Sequence, residues 1–393
     1  MTGALGGLKV LDCTHVLAGA WCSLILADLG ADVVKIEPLQ GEATRGRPDS
    51  RFRPFDFANR NKRAIAVDIA SAAGAEVVRG LARSADIFVE NYRPGVLDRA
   101  GLGWEALHEV NPRLIYASVS GFGHSGPYRE RGGLDLIAQA MSGIMSFTGE
   151  PGAARPVSAG APVADVTAGV YVAVGVLAAL NHRHRTGEGQ HVEATLLESA
   201  MAHTVWEAGS ALTMGQIARP NGSRHRLAAP YEALKTRDGF LVIGVKNQKL
   251  WGRLCAALGA PDLETDPLFA TPQQRLANRD ALQARLEAIL AEDGTLAWVA
   301  RITARGVPCG PVNDIAEALA DPHLAARGYL AEVGGRRFPR TPLGFSSTPV
   351  EVVRGPPRIG EHTREVLGEA GLTTGAIDWL AQSGAILAAE ALA

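Results

Sequence analysis

The sequence predicts an α/β protein, with a parallel sheet covered by helices and a second, smaller α+β domain. Three observations carry that expectation. The first third of the chain alternates short apolar runs with helical segments, at the spacing of β-α-β units. Runs such as Leu114-Ile-Tyr-Ala-Ser-Val119 are apolar almost throughout, as in strands buried on both faces. Beyond a stretch of breakers and charge at residues 219–230, a hairpin signal and amphipathic helices mark a different kind of unit.

In chain order, Leu8–Leu11, an apolar run after Gly6-Gly7, is the expected first strand. Trp21–Leu29 reads as a helix that ends at Gly30. Asp32–Glu37 is the second strand and Ile65–Ile69 the third. A helix follows at Gly74–Leu81, a strand at Asp86–Glu90, a helix at Trp104–Val110 and a strand at Leu114–Val119. Val166–Arg185 is long and apolar and reads as a buried helix, ended by Gly187-Glu188-Gly189-Gln190. His191–Thr195 is a further strand and Glu198–Met214 a helix. Tyr231–Leu234 and Phe240–Val245 flank Asp238-Gly239, a good hairpin turn. Helices around Leu250–Leu258, Arg275–Ala291 and Ala297–Thr303 complete the small unit, and Gly306–Pro311 breaks it off. Short strands and two late helices fill the remainder. The expected boundaries are 1–200 for the first part of the large domain and 201–223 for a linker. The small domain is expected at 224–312, with a linker and return to the large domain at 313–393.

The 393 residues, 47% hydrophobic with a formal net charge of −2, suit a globular protein of two domains with a full core. A near-neutral balance argues against nucleic acid as a main partner, because phosphate binding needs a basic face. The N-terminus has no basic region followed by an apolar one, so no secretion is expected. The longest apolar run, Val166–Leu180, is short and glycine-rich for a membrane span, and no membrane partner is expected. Cys13, Cys22, Cys255 and Cys309 lie far apart with no Cys-x-x-Cys, which suits a reducing cytoplasm. No His-Glu-x-x-His is present, and no metal site is expected.

Asp165 is the only charged residue between Arg155 and Arg183. Buried without partners, its charged form would be disfavoured and its pKa raised. A carboxylate in such a glycine-lined, uncharged setting can be a nucleophile, since acyl transfer can run through a mixed anhydride. It can equally be a helix N-cap, because it opens the apolar run Val166–Leu180. Gly121-Phe-Gly-His-Ser-Gly126 matches dinucleotide-binding spacing after a strand, but a loop rather than a helix follows. That context argues against a nicotinamide or flavin cofactor.

Several segments together resemble the family III CoA-transferases, the superfamily that also contains formyl-CoA transferase and the 2-methylacyl-CoA racemases. They are Leu8-Lys-Val-Leu-Asp-Cys-Thr-His-Val-Leu-Ala-Gly19, Leu26–Pro38, Asn59–Asp68, Asn91-Tyr-Arg-Pro-Gly95, Asn111–Gly123, Gln139-Ala-Met-Ser-Gly143, His184–Gln190 and Gly306–Asn313. Their order and spacing cover nearly the whole chain. The resemblance implies a large Rossmann-like domain and an intertwined, ring-like homodimer. It implies acyl-CoA as a substrate and no tightly bound cofactor.

By the same resemblance Asp165 is the nucleophile, forming aspartyl anhydride and aspartyl-CoA intermediates. Gly160 and Ala161 are candidate oxyanion donors, since small residues let backbone N–H groups approach. Asp135 stands where transferases carry an acid near the nucleophile, and its alternative role is an N-cap for Leu136–Ser142. Val16, Leu39, Val67, Asn91, Tyr92 and Arg99 match CoA contacts, with Arg99 suited to a phosphate. Pro38, Ala70 and Gly132 replace basic residues found in some members, and Arg131 is placed to compensate. The racemase branch needs a Gly-His-Asp segment. Here Gly132-Gly-Leu-Asp135 puts Leu134, which cannot move a proton, at the histidine position. The reading is therefore CoA transfer between small carboxylic acids, dicarboxylic ones foremost, against a racemase or a non-catalytic acyl-CoA-binding protein. The cationic loop Ser223-Arg-His-Arg226 is either a solvated linker or the site where Arg224 and His225 bind an acceptor carboxylate. Asn247 and Gln248 lie where family members carry a loop over the active site, and could touch substrate.

Overall fold

The computed structural model describes residues 3–47 and 49–388. The chain forms two compact units, one of Met1–Ile144, Ser158–Gly215 and Ala325–Ala393, the other of Met145–Val157 and Gln216–Leu324.

The first unit is built on β1 (Lys9–Cys13), β2 (Asp32–Glu37), β3 (Arg63–Val67), β4 (Ile87–Glu90), β5 (Ile115–Ser120) and β6 (His191–Thr195). These strands pair in parallel in the order β3-β2-β1-β4-β5-β6, and Ile386–Leu387 adds antiparallel to β3. This is the doubly wound order, in which the winding reverses between β1 and β4. Residues on both faces of the central strands are buried, Val10, Leu11, Ile87, Phe88 and Val89 among them, which explains the unbroken apolar runs. β2, β6 and the Trp104–Val110 helix lie where the sequence puts them.

Some expected boundaries move for local reasons. The helix expected over Glu198–Met214 is two, Leu196–Ala202 and Val205–Met214. At the break the Thr204 hydroxyl donates to the Met201 carbonyl (2.8 Å), a local bond that competes with the helix ladder. The helix expected over Arg275–Ala291 divides at Asn278, whose side chain donates to the Gln274 carbonyl (2.9 Å).

The long Val163–Thr186 helix packs on Ala18–Asp28, β5 and β6. By length and apolarity it could span a membrane, yet here it buries Ala164, Ala168, Val172, Val176 and Leu180 in the first unit.

Charges are also buried in this core. Asp12, Lys35 and Lys62 have no exposed surface. Lys62 Nζ donates to Asp12 Oδ2 (2.8 Å), Asn59 Oδ1 (2.8 Å) and Ser23 Oγ (3.0 Å), and Lys35 Nζ to the Thr14 carbonyl (2.6 Å). Burial lowers the pKa of Lys62 to about 8. The two lysines hold Asp12 well below the usual carboxylate range, against the opposing effect of its burial. The network anchors the turn that leaves the C-terminal end of β1.

The second unit holds an antiparallel sheet of Tyr231–Lys235, Phe240–Gly244 and Cys309–Pro311. Its core joins Leu234, Leu241 and Ile243 to Trp251, Leu286 and Ile302 from the covering helices. The segment expected to break off this unit, Gly306–Pro311, instead supplies its third strand. The unit is also wider than 224–312. Residues 145–157 join it, for example where Gly222 N–H donates to the Gly149 carbonyl (2.9 Å).

Candidate active site

The reversal between β1 and β4 opens a crevice at the carboxyl ends of the strands, where ligands bind in sheets of this kind. Two residues stitch its floor. His15 N–H donates to Asn91 Oδ1 (2.7 Å), and Asn91 Nδ2 donates to the His15 carbonyl (2.8 Å). The Tyr92 ring meets the His15 ring edge-on at 4.6 Å. Glu90, buried at the end of β4, accepts the Tyr92 N–H (2.8 Å). Val16 takes φ = +61° with its side chain 56% exposed, and a β-branched residue there is strained. Such strain clusters at ligand clamps.

A cavity of 510 Å³ lies over this floor, and its walls include His15, Val16, Asn91, Tyr92, Arg93 and Asp165. The sequence-derived candidates Val16, Asn91, Tyr92 and Asp165 thus meet in one chamber.

Asp165 is the third residue of the Val163–Thr186 helix and is not its cap. The cap comes from 30 residues upstream. Asp135 Oδ1 accepts the N–H groups of Ala164 (2.7 Å) and Asp165 (3.2 Å). Asp135 is also not the cap of its own helix, because it is the first residue of Asp135–Met141. Buried Gln139 clamps the arrangement. Its Nε2 donates to Asp135 Oδ2 (2.6 Å) and to the Ala161 carbonyl (3.1 Å), and its Oε1 accepts the Ala159 N–H (2.9 Å). Asp135 is therefore engaged on both oxygens, while the Asp165 carboxylate receives no hydrogen bond from a described residue. Burial, and then the nearby charge of Asp135, push the pKa of Asp165 up to about 6. Gly160 and Ala161 stand two residues or fewer before Pro162, the residue flanking the helix start, and Gly160 takes φ = +73°.

A second cavity of 340 Å³ is lined by Leu39, Val67, Tyr92, Asp68 and Ala70, so Tyr92 belongs to both. The Val67 side chain is buried in the core, which leaves its main chain and the end of β3 for contact. Arg99 is exposed in the short Val96–Arg99 turn and lines neither cavity. Arg93, Arg129 and Arg131 line the Asp165 chamber instead. Arg93 and His15 were not singled out in the sequence, although each sits beside a residue that was.

The remaining candidates belong to the second unit. Arg224 pairs with Glu232 (3.1 Å) and Asp280 (2.7 Å) and donates to Gln283. The His225 ring stacks on Tyr231 at 4.7 Å. Asn247 caps the Gln248–Leu258 helix by accepting the Leu250 N–H (2.9 Å), and Gln248 Oε1 accepts from Arg275 (3.1 Å). Each of these four side chains has a structural role of its own.

Gly121, the first glycine of the dinucleotide-like stretch, has a steric explanation. A Cβ on Gly121 would come within 2.5 Å of the Gly133 Cα, so glycine stands at 121 because two backbones cross there. Among the described residues no group of three or more His, Cys, Asp or Glu could hold a metal ion.

The chain matches the model of "CoA-transferase family III" over residues 5–363. It is 39% identical over 386 residues to the succinate–glutarate CoA-transferase of Agrobacterium fabrum, covering 93% of this chain and 95% of that one. It is 39% identical over 348 residues to the acetyl-CoA:oxalate CoA-transferase of Acetobacter aceti, covering 88% and 90%. A crystal structure of a CaiB/BaiF family protein from Brucella suis superposes with a TM-score of 0.87 at 38% identity, over 94% of this chain and 100% of that one. By the family match and these relatives, the chain belongs to family III of the CoA-transferases.

Proposed function

We propose that the protein exchanges CoA between an acyl-CoA and a small dicarboxylic acid through covalent intermediates on Asp165. The observation that carries this reading is the position of Asp165, unpartnered in a cavity at the carboxyl ends of the strands, with its pKa pushed up to about 6.

An Asp165 oxygen attacks the thioester carbon. The C–S bond breaks, CoA leaves as thiolate, and a mixed anhydride forms. The thiolate then attacks the aspartyl carbonyl and releases the first acid, leaving aspartyl-CoA. The acceptor carboxylate reverses the sequence, and Asp165 is regenerated with no net uptake of water or protons. Two features of the site favour this route. A carboxyl with a pKa near 6 is more basic than a typical substrate acid yet ionised at neutral pH, so it is an able nucleophile. Acylation also removes the charge that burial and Asp135 disfavour, so the forces that raise the pKa favour the covalent state. Free backbone N–H groups at Gly160 and Ala161 are the proposed oxyanion donors. The first-turn N–H groups of Ala164 and Asp165 are occupied by Asp135.

The dicarboxylate assignment draws on the substrates named for the relatives, glutarate and oxalate. CoA is proposed to lie across the β1–β4 crevice, against Val16, Asn91 and Tyr92, and to extend toward Leu39 and the end of β3 at Val67. No tightly bound cofactor enters the scheme. Leu134, 69% exposed on the wall of the Asp165 chamber, offers no base for epimerisation. A cytoplasmic homodimer completes the reading. In support of a protein partner, Trp206 is 83% and Leu212 87% exposed, and the long helix exposes Val170, Tyr171 and Val174. The test of function is exchange of CoA from succinyl-CoA to glutarate or oxalate, followed by chromatography. Transfer abolished in Asp165→Asn with CoA binding retained supports the reading, and full turnover in that variant overturns it.

A further inference from the structure

The Asp165 chamber carries more positive charge than its own residues neutralise. Arg93, Arg129 and Arg131 line it, and among the described residues Asp165 is the one carboxylate on its wall. Arg129 pairs with Glu130 at 3.5 Å. Among the described residues the Arg93 side chain has no ion-pair or hydrogen-bond partner, and the Arg131 guanidinium has only a cation–π contact, 4.0 Å over the Tyr128 ring. The Arg93 guanidinium lies against Gly132, where a Cβ would come within 2.9 Å of Nη2. The missing side chain at 132 therefore makes room for the arginine. Two cations without carboxylate partners on the wall of a concave site call for an anionic ligand. A guanidinium pairs with a carboxylate by two parallel hydrogen bonds.

Such an anion could be a phosphate of CoA or a carboxylate of the acid. In CoA the phosphates are separated from the thioester by the whole pantetheine arm. The distal carboxylate of a short diacid is separated from its reacting end by only a few carbons. A group sharing one 510 Å³ chamber with the nucleophile fits the second description. The two guanidiniums also offset the repulsion between ionised Asp165 and an incoming dianion.

We propose that Arg93 and Arg131 form the specificity site of this enzyme and bind the distal carboxylate of a dicarboxylic acid while its other carboxylate reacts at Asp165. The proposal rests on the functional reading above. It also moves acceptor recognition away from Arg224, which Glu232, Asp280 and Gln283 already occupy.

The test compares glutarate with pentanoate, the acid of equal length that lacks the distal carboxylate. It uses wild type, Arg93→Gln and Arg131→Gln, with succinyl-CoA as donor. Free-CoA affinity is measured by calorimetry, and binding of glutarate and pentanoate to wild type is measured separately. Loss of one charge-assisted hydrogen-bonded contact predicts a fall of roughly tenfold or more in the glutarate/pentanoate ratio of kcat/KM, with the Kd of CoA retained. Equal losses for both acids together with weakened CoA binding would assign the arginines to phosphate and overturn the proposal. An unchanged ratio with unchanged CoA affinity would also overturn it. If wild type binds glutarate over pentanoate but transfers CoA to neither, the functional reading fails while the recognition site stands.

Discussion

In the proposed function, Asp165 concentrates the chemistry in one side chain. Its folded-state pKa, about 6, lies above the ordinary value of 3.8. The folded protein therefore binds this proton more tightly than the unfolded chain. Asp165 contributes stability below about pH 3.8, and that contribution is lost as pH rises through 6. Asp165→Asn should accordingly melt at a higher temperature than wild type at pH 8, and the difference should vanish near pH 4. Scanning calorimetry at the two pH values measures this. A helix cap would give no such pH-dependent gain, since Asn caps a helix about as well as Asp. With Asp165 as the proposed nucleophile, the same titration is predicted to set the activity. Attack needs the carboxylate, so kcat/KM should fall tenfold per pH unit below about 6 and level off above it. A profile flat from pH 5 to 8 would remove Asp165 from the rate-limiting chemistry.

The helix that carries Asp165 shows what a one-dimensional reading can and cannot supply. Its existence was legible, because twenty largely apolar residues without a proline must be a buried helix or strand, and that length excludes a strand. Its cap was not legible. Asp165 and Asp135 each stand near the start of an apolar segment, and each looked like a local N-cap. The fold instead turns Asp135 toward the other helix, a contact over 30 residues that no local pattern encodes. The strands ending at Cys13, Glu37 and Glu90 were legible from their apolar runs, and their order placed Asn91 and Tyr92 at the site. The breaks at Thr204 and Asn278 were missed because side-chain-to-backbone bonds there overrule a continuous helical pattern. The partners of Arg224, Glu232 and Asp280, were not legible for a related reason, since charge in a loop reads as available until its partners are known. The remote cap makes a prediction at this scale. Asp135→Ala should lower stability by about 1 kcal/mol in urea denaturation, the usual cost of a lost N-cap. An unchanged midpoint would refute the remote cap.

At the scale of the whole molecule, a parallel sheet places chemistry where its winding reverses, and this chain reinforces that point with buried charge. Lys62 and Asp12 have no exposed surface and bond directly beneath the β1 exit turn. Lys62→Met would leave Asp12 as a buried charge short of a partner, and should cost about 3–5 kcal/mol in denaturant. A loss below 1 kcal/mol would mean that the network does not hold the sheet as described. The exposed apolar residues of the Val205–Met214 helix predict a dimer in sedimentation velocity, and a monomer at micromolar concentration would contradict it. The central claim is covalent catalysis on Asp165, and mass spectrometry tests it most directly. The protein is incubated with succinyl-CoA, quenched with hydroxylamine and digested. A hydroxamate on the peptide containing Asp165 is the predicted result. An unmodified peptide, from protein that transfers CoA in the same solution, would contradict the account.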